Sequence, residues 1–384
     1  MSSAPASTQQ PTVVVAMSGG VDSSVAAALL KQQGYKCVGV FMRLGHDPAQ
    51  QAQEAPNAGA ALAAVPRRTH KQGCCSSGDA ADARYVAGLL NIPFYALNFQ
   101  RDFGEVIDYF VEEYNRGRTP NPCVRCNEYL KFGKLALYAR AIGADYVATG
   151  HYARIFRPDA GSPQLWRGID EHKDQSYVLF GVPKTELGRM LLPLGEYTKH
   201  QVRDMARAFG LPVHNKPDSQ EICFLPADNY INLIKARTPN AVKPGPLVDE
   251  SGQVVGEHPG HQHFTLGQRK GVGVPRSYPL YVTKIDPQSN TVQVGPKQAL
   301  CCRQLVARRV NWLDQPVDRP VRCLAKIRYN SPPQQAEAEF TGPDELTVRF
   351  DSEVTAITPG QAVVCYYGPR VLGGGWIDAV GEKP

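Results

Sequence analysis

No apolar run in the sequence approaches the ~20 residues that a membrane-spanning helix needs, which excludes an integral membrane protein of that kind. Residues 1–12, MSSAPASTQQPT, contain neither a basic stretch nor an apolar one, so no secretory signal is expected there. Excess charge is also scarce: 42 Lys and Arg against 36 Asp and Glu leave +6. That balance permits a polyanionic partner without demanding one. Nor is the composition that of a disordered chain, since 42% hydrophobic and 20% charged residues are ordinary globular usage. What is plentiful is proline (31) and cysteine (10) among 384 residues. Without a secretory signal, ten cysteines read as reduced thiols of a cytoplasmic protein, with chemical or metal roles, not as a disulfide scaffold. The length suits about two to three domains at roughly 150 residues each.

The first half alternates strands and helices. Thr12–Met17 is a short β-branched run ending in Ser18-Gly19-Gly20. Val21, Val25, Ala28 and Leu29 then line one helical face, which Gly34 closes. Cys37–Met42, Pro93–Leu97 and Asp145–Ala148 are further strand candidates, with helices expected at 77–91, 101–114 and 127–142. Such alternation implies parallel βαβ units, whose ligands collect at the carboxyl ends of the strands. The loops after Met17, Met42, Asn98 and Ala148 are therefore expected to converge on one site. Between Gly45 and Gly73 the pattern fails; this stretch is rich in Ala, Gln and Pro and reads as a disordered insertion. From about residue 243 onward, Pro and Gly punctuate short β-rich runs at 281–285, 291–294, 322–329, 346–350 and 362–367, the pattern of a small antiparallel barrel or sandwich.

Ser18-Gly19-Gly20-Val21-Asp22-Ser23-Ser24 joins the first strand to the first helix. Glycines let backbone N–H groups turn inward, and a helix N-terminus adds a positive dipole end, so the loop suits phosphate. There is no GxxxxGK[ST] and no GxGxxG, so neither a Walker-type lysine nor a dinucleotide fingerprint is present. Ser18, Ser23 and Ser24 add hydroxyl donors, and Asp22 either orients the loop or holds Mg²⁺. Read as SGG alone, the string is a tight strand–helix turn with Asp22 as an N-cap. The full SGGVDSS string resembles the signature of the ATP pyrophosphatase (PP-loop) enzymes. That resemblance implies cleavage of ATP between its α and β phosphates, adenylation of a carbonyl or amide oxygen, and displacement of AMP by a nucleophile.

Cys123 and Cys126 lie in GRTPNPCVRCN, a proline-stiffened loop between two helices; a helix expected near Asn127, and Arg125, favour thiolate at Cys126. Cys223 lies in DSQEICF after a Lys216-Pro217-Asp218 turn. Zinc would need a fourth ligand, and no second CxxC exists. An iron–sulfur cluster on Cys123, Cys126 and Cys223, or a dithiol relay using two of them, both remain open. Cys37, Cys323 and Cys365 read as small buried hydrophobes, and Cys74, Cys75, Cys301 and Cys302 more weakly so.

Several longer strings are more specific than the glycine loop. They are GRTPNPCVRCN with KFG at 131–133, ATGHYAR at 148–154, KDQSYVL at 173–179, DSQEICF at 218–224, HFTLGQRKGVG at 263–273, KIRYNSPP at 326–333 and TPGQAVVCYYG at 358–368. Together and in this order they resemble the bacterial tRNA-specific 2-thiouridylases, the MnmA family, from about residue 12 to about residue 378. The resemblance implies an α/β fold: a parallel-sheet PP-loop domain over 11–220, a small central domain over 221–290 and a C-terminal antiparallel β-barrel over 291–384. It implies 2-thiouridine formation at the wobble uridine of tRNA, with ATP at Ala16, Met17, Ser18, Gly19, Gly20, Val21, Asp22 and Ser23, and Met42 and Gly150 near the adenosine. Cys223 corresponds to the cysteine that carries sulfur as a persulfide, and Cys126 to the nucleophile that ends in a disulfide with it. Asn121, Pro122 and Cys123 correspond to positions facing the base. His151, Lys173, Asp174, Gln175, Arg328, Tyr329 and Gln361 correspond to positions used against tRNA. A sulfur donor protein, either a cysteine desulfurase or a relay carrier, is implied as a partner, and no membrane. Some members carry Asp where this chain has Cys123, so a mechanism needing that carboxylate does not transfer.

The basic residues Arg269, Lys270, Arg303, Arg308, Arg309, Arg322, Lys326 and Arg328, interleaved with Tyr329, His261 and His263, are read beside this loop as an RNA-contacting face. His258, His261 and His263 read as RNA contact or plain loop, not as a metal cluster. Two other functions compete: the same thiolation through a [4Fe–4S] cluster held by three cysteines, and a PP-loop RNA-binding protein without thiolation.

Overall fold

The computed structural model describes residues 10–45, 77–218, 222–225, 230–275, 277–315 and 319–381. The insertion after Gly45, the Cys74-Cys75 pair and Ser219-Gln220-Glu221 fall outside them.

Strands β1 (Thr12–Ala16), β2 (Lys36–Arg43), β3 (Phe94–Asn98) and β4 (Tyr146–Ala148), with the short Met190–Leu191, form a parallel sheet in the order β3-β2-β1-β4-Met190. β1 is central and covered on both faces, so it is a continuous β-branched run and not an alternating one. Val14 joins the core that contains Phe103, Leu130 and Val147. Val13 and Val15 join the opposite core, with Val25, Phe41 and Val86. Helix α1 (Val21–Gln32) follows β1 and buries Val21, Val25, Ala28 and Leu29, the four positions the periodicity selects. Chain order reverses between β1 and β4, since β1 runs on to β2 on one side while β4 lies on the other. Crevices for ligands open at the carboxyl ends of strands at such a switch point.

A sheet of Gly245–Val248, Val254–His258, Tyr281–Asp286 and Thr291–Gly295 makes the small central unit around Leu247, Val282, Val292 and Val294. Two of its histidines, His258 and His261, pin neighbouring segments together. His258 Nε2 meets Asn290 O at 3.0 Å, and His261 joins Asn290 Oδ1 (3.0 Å) to the carbonyl of Asn115 (3.2 Å), the last residue of the helix Gln100–Asn115. His258 and His261 are both buried.

Six antiparallel strands close into a barrel in the order Cys301–Trp312, Glu345–Thr355, Gln334–Gly342, Val321–Lys326, Ala362–Tyr367, Arg370–Val380, with the last pairing the first. Closure removes exposed edges. A hairpin from the first half, Ala153–Phe156 with Gln164–Arg167, adds to it through Trp166 and Arg370. The barrel also grips the loop before Cys123. Thr119 N donates to Pro359 O (2.9 Å), and Gln361 Nε2 donates to the carbonyls of Thr119 (3.1 Å) and Pro120 (2.9 Å).

Candidate active site

The phosphate loop is built by its own hydroxyls. Ser18 N donates to Ser23 Oγ (3.1 Å), and Ser24 Oγ donates to Gly20 O (2.8 Å). Gly19 has φ +74°, and a Cβ there would stand 2.2 Å from Asp79 O, so only glycine fits. The N-cap of α1 is Gly20 with no side-chain cap, which rules out the N-cap reading of Asp22. Asp22 instead faces Lys199 Nζ (2.8 and 2.9 Å to its two oxygens) and accepts from Tyr152 Oη (2.7 Å). Lys199 also reaches Asp218 (2.7 Å), which is shared with Lys173 (2.8 Å) and Arg203 (3.0 Å). Burial raises the pKa of Asp218, but Lys173 and Lys199 outweigh it and hold the carboxyl below its usual range. Lys216 Nζ donates to Gly19 O (3.0 Å) and pairs with Asp79 (2.6 Å) and Asp82 (2.7 Å). No motif flags Lys199 or Lys216; both approach the loop only through tertiary folding.

A cavity of about 510 Å³ opens at the carboxyl ends of β1, β2 and β4. Ala16, Met17, Ser18, Asp22 and Ser23 line one side, with Met42, Thr149, Gly150 and His151 beside them. Gly19, Gly20 and Val21 shape the loop without lining the cavity. Gly150 is fixed by close approach, because a Cβ there would lie 2.7 Å from Asp22 C and Ser23 N. The opposite side carries Asn121, Pro122, Cys123 and Cys126, with Cys223 and Tyr329. Three of the four strand-end loops thus converge as expected. The end of β3 contributes no lining residue, and Phe103 of the following helix stands in its place.

The helix carrying the thiols starts earlier than expected. Asn121 is its N-cap, with Oδ1 accepting from Val124 N (3.3 Å), and Pro122 fills the first turn. Asn followed by Pro is a start signal legible in the sequence. The helix runs through Cys126 into a π-helical segment, Asn127–Lys134, and on to Leu135–Ala141. Cys126 is therefore inside the helix, and Arg125, expected to favour its thiolate, pairs with Glu128 (3.1 Å). Cys123 is exposed, while Cys126 and Cys223 are half-buried against the main core.

The residues matched to tRNA-facing positions divide in two. His151, Gln175 and Tyr329 line the cavity. Lys326 Nζ sits 5.5 Å from the centre of the Tyr329 ring. Lys173, Asp174, Arg328 and Gln361 do not line it. Asp174 is buried and accepts from Gly168 N, Ser176 N and Ser176 Oγ (3.0–3.1 Å). Arg328 donates to Ala356 O (2.6 Å) and Thr358 Oγ1 (2.5 Å).

Among the described residues, no group of three or more His, Cys, Asp or Glu side chains is placed to hold a metal ion. The three cavity cysteines thus do not form a cluster site as they stand. Among the described residues, Asp22 is the one carboxylate on the cavity wall, and both its oxygens are held by Lys199.

Family models divide the chain in the same sense. Residues 11–227 match the tRNA methyl transferase HUP domain, 232–296 the tRNA methyl transferase PRC-barrel domain and 302–377 the aminomethyltransferase β-barrel domain. The class is that of HUP-domain proteins of tRNA modification. The chain is 47% identical over 370 residues to the tRNA-specific 2-thiouridylase MnmA of Carboxydothermus hydrogenoformans, covering 95% of this chain and 97% of that one. The proteins of the same description from Rhodopirellula baltica and Clostridium perfringens match at 46% (95% and 96% covered) and 45% (96% and 98%). The chain belongs to the tRNA-specific 2-thiouridylase family.

Proposed function

We propose that this protein is a tRNA-uridine 2-sulfurtransferase that uses ATP to activate the wobble uridine and a cysteine persulfide to thiolate it. The supporting observation is that one cavity is lined both by the phosphate loop and by Cys126 and Cys223. ATP lies along Ala16–Ser23 with its adenosine by Met42 and Gly150, and Mg²⁺ enters on the phosphates. Uridine O2 attacks the α-phosphorus, the Pα–O–Pβ bond breaks, pyrophosphate leaves and the uracil N3 proton passes to water. The terminal sulfur of a Cys223 persulfide then attacks C2, and AMP departs with the oxygen. Cys126 thiolate attacks Cys223 Sγ, breaking the S–S bond. Sulfur stays on C2, N3 regains its proton, and a Cys126–Cys223 disulfide remains for an external thiol to reduce. A cysteine desulfurase or relay carrier loads Cys223. Asn121, Pro122 and Cys123 face the base, and His151, Gln175 and Tyr329 meet the tRNA around it. Lys173, Asp174, Arg328 and Gln361 act on tRNA through the loops and strands they hold.

The test is incubation with ATP, a persulfide donor and unmodified tRNA, followed by nucleoside mass spectrometry. Formation of 2-thiouridine that needs both ATP and donor is expected. Its absence under every donor condition overturns the reading.

A further inference from the structure

Among the described residues, Lys131 is the single Lys or Arg that lines the cavity. The sequence motifs give it no role. Its placement follows from the helix: the Asn127–Lys134 segment is π-helical, bonding five residues apart instead of four, so Cys126 and Lys131 face the same space. Such segments are uncommon and occur frequently at functional sites.

Lys131 Nζ lies 3.4 Å from His151 Nε2, and His151 Nδ1 lies 2.7 Å from Thr149 Oγ1. An ammonium only donates, so Nε2 accepts and the ring proton sits on Nδ1, donated to Thr149. His151 is buried. Burial, and then the charge of Lys131, hold its pKa well below the usual 6.5. Both ring nitrogens are engaged, so His151 seats the ammonium and does not serve as a base. His151 follows Gly150, whose backbone is pressed against Asp22 and Ser23. Lys131 is thus one side chain away from the phosphate loop and one helical turn from Cys126.

We propose that Lys131 is a catalytic residue whose ammonium binds the α-phosphate oxygens as uridine O2 displaces pyrophosphate, and again as AMP departs. This rests on the sulfur-transfer reading above and deepens it. In the first step the O2–Pα bond forms, the Pα–O–Pβ bond breaks and pyrophosphate takes the electron pair. In the second the C2–O bond breaks and its electron pair leaves on AMP. Negative charge crowds the same phosphate oxygens both times, and a cation already seated on His151 stabilises it without reorganising.

The experiment measures tRNA-dependent pyrophosphate release by Lys131→Met, Lys131→Arg and Lys131→Ala, with melting temperatures checked against wild type. We expect Lys131→Met to lower kcat for release about 10²–10³-fold with KM for ATP and tRNA nearly unchanged. Lys131→Arg should fall between Lys131→Met and wild type, and added ethylammonium should partly rescue Lys131→Ala, which a structural role would not allow. The proposal is overturned if Lys131→Met releases pyrophosphate within about threefold of wild type. It is equally overturned if the loss lies wholly in KM for tRNA and no amine rescues Lys131→Ala. Pyrophosphate release is read separately from 2-thiouridine, so a wild type that releases pyrophosphate without thiolating sinks the function reading and leaves this one standing.

Discussion

Cysteines occur both in the barrel and around the cavity, and the two regions hold them differently. In the barrel, Cys323 and Cys365 are buried thiols on neighbouring strands. Arg322 makes a two-pronged pair with Asp351, and Arg308 reaches both Glu345 and Asp378. Each of these arginines is answered by a carboxylate, and the two thiols face each other, which lowers the pKa of Cys323 and raises that of Cys365. In the cavity, Cys123, Cys126 and Cys223 are half-buried or exposed and share space with the phosphate loop. Burial alone can silence a thiol, as at Cys37, where it pushes the pKa up to about 11 despite the nearby Lys31. Residue type therefore says little about role here until the surroundings are known.

The sharpest way to break this contrast is to mutate one cysteine in each region. Cys223→Ser should cut 2-thiouridine formation at least ~10³-fold, because it removes the sulfur carrier outright. Cys323→Ala should stay within about twofold of wild type by the same mass-spectrometric assay. A Cys223→Ser enzyme that keeps thiolating from a persulfide donor would erase the distinction.

A smaller effect is expected at the mouth of the phosphate loop. Lys199→Met removes the cation that Asp22 and Asp218 share, and should raise KM for ATP about tenfold, the worth of roughly one charge-assisted hydrogen bond. Steady-state kinetics with tRNA saturating checks it.

Smaller again is the contribution of the loop clamp. Gln361→Ala leaves the Thr119 and Pro120 carbonyls without their donor, at about 1–3 kcal/mol, and should lower the melting temperature by a few degrees. Arg322→Ala, whose pair with Asp351 is exposed, should leave melting unchanged. Equal shifts would show that the barrel's ion pairs matter as much as its grip on the active loop.

The mildest prediction concerns acid. Burial holds His151, His258 and His263 below the usual histidine pKa of 6.5. Their folded forms therefore bind fewer protons than the unfolded chain. The stability they contribute is complete above about pH 6.5 and is lost as pH falls toward their folded values. Around His258 stand Asn290 O, His261, His263 and Glu257; Lys235 faces His263, and Lys131 faces His151. Melting temperature should fall between pH 7.5 and 5.5, and less steeply in His258→Asn.

The parallel sheet, the phosphate loop and the β-rich end were legible because each is written locally: Val13–Val15 as an unbroken β-branched run, SGGVDSS at the strand–helix junction, Pro- and Gly-spaced strands after residue 243. The start of the thiol helix was legible too, in Asn121-Pro122, but reading Pro122 only as loop stiffening set it five residues late. Other features depend on partners distant in sequence. Lys199 meets Asp22 across 177 residues and Gln361 meets Thr119 across 242. His258 and His261 close on Asn290 and Asn115, and Arg322 of the barrel finds a carboxylate distant in sequence. The π-helical turn that brings Lys131 into the cavity has no sequence signal of comparable clarity.

The central claim is that activation and sulfur transfer occur in one cavity with Cys223 as carrier and Cys126 as the releasing thiol. It is tested most directly by a single turnover with enzyme whose Cys223 is preloaded with radioactive sulfur, given ATP and unmodified tRNA. The account predicts one labelled 2-thiouridine and one pyrophosphate per loaded enzyme, with a Cys126–Cys223 disulfide found by peptide mapping. In Cys126→Ser, pyrophosphate should still be released while the label is held in a covalent Cys223–S–S–C2 adduct of protein and tRNA, with no free 2-thiouridine. Free labelled 2-thiouridine formed in full by Cys126→Ser, or thiouridine formed without pyrophosphate, would contradict it.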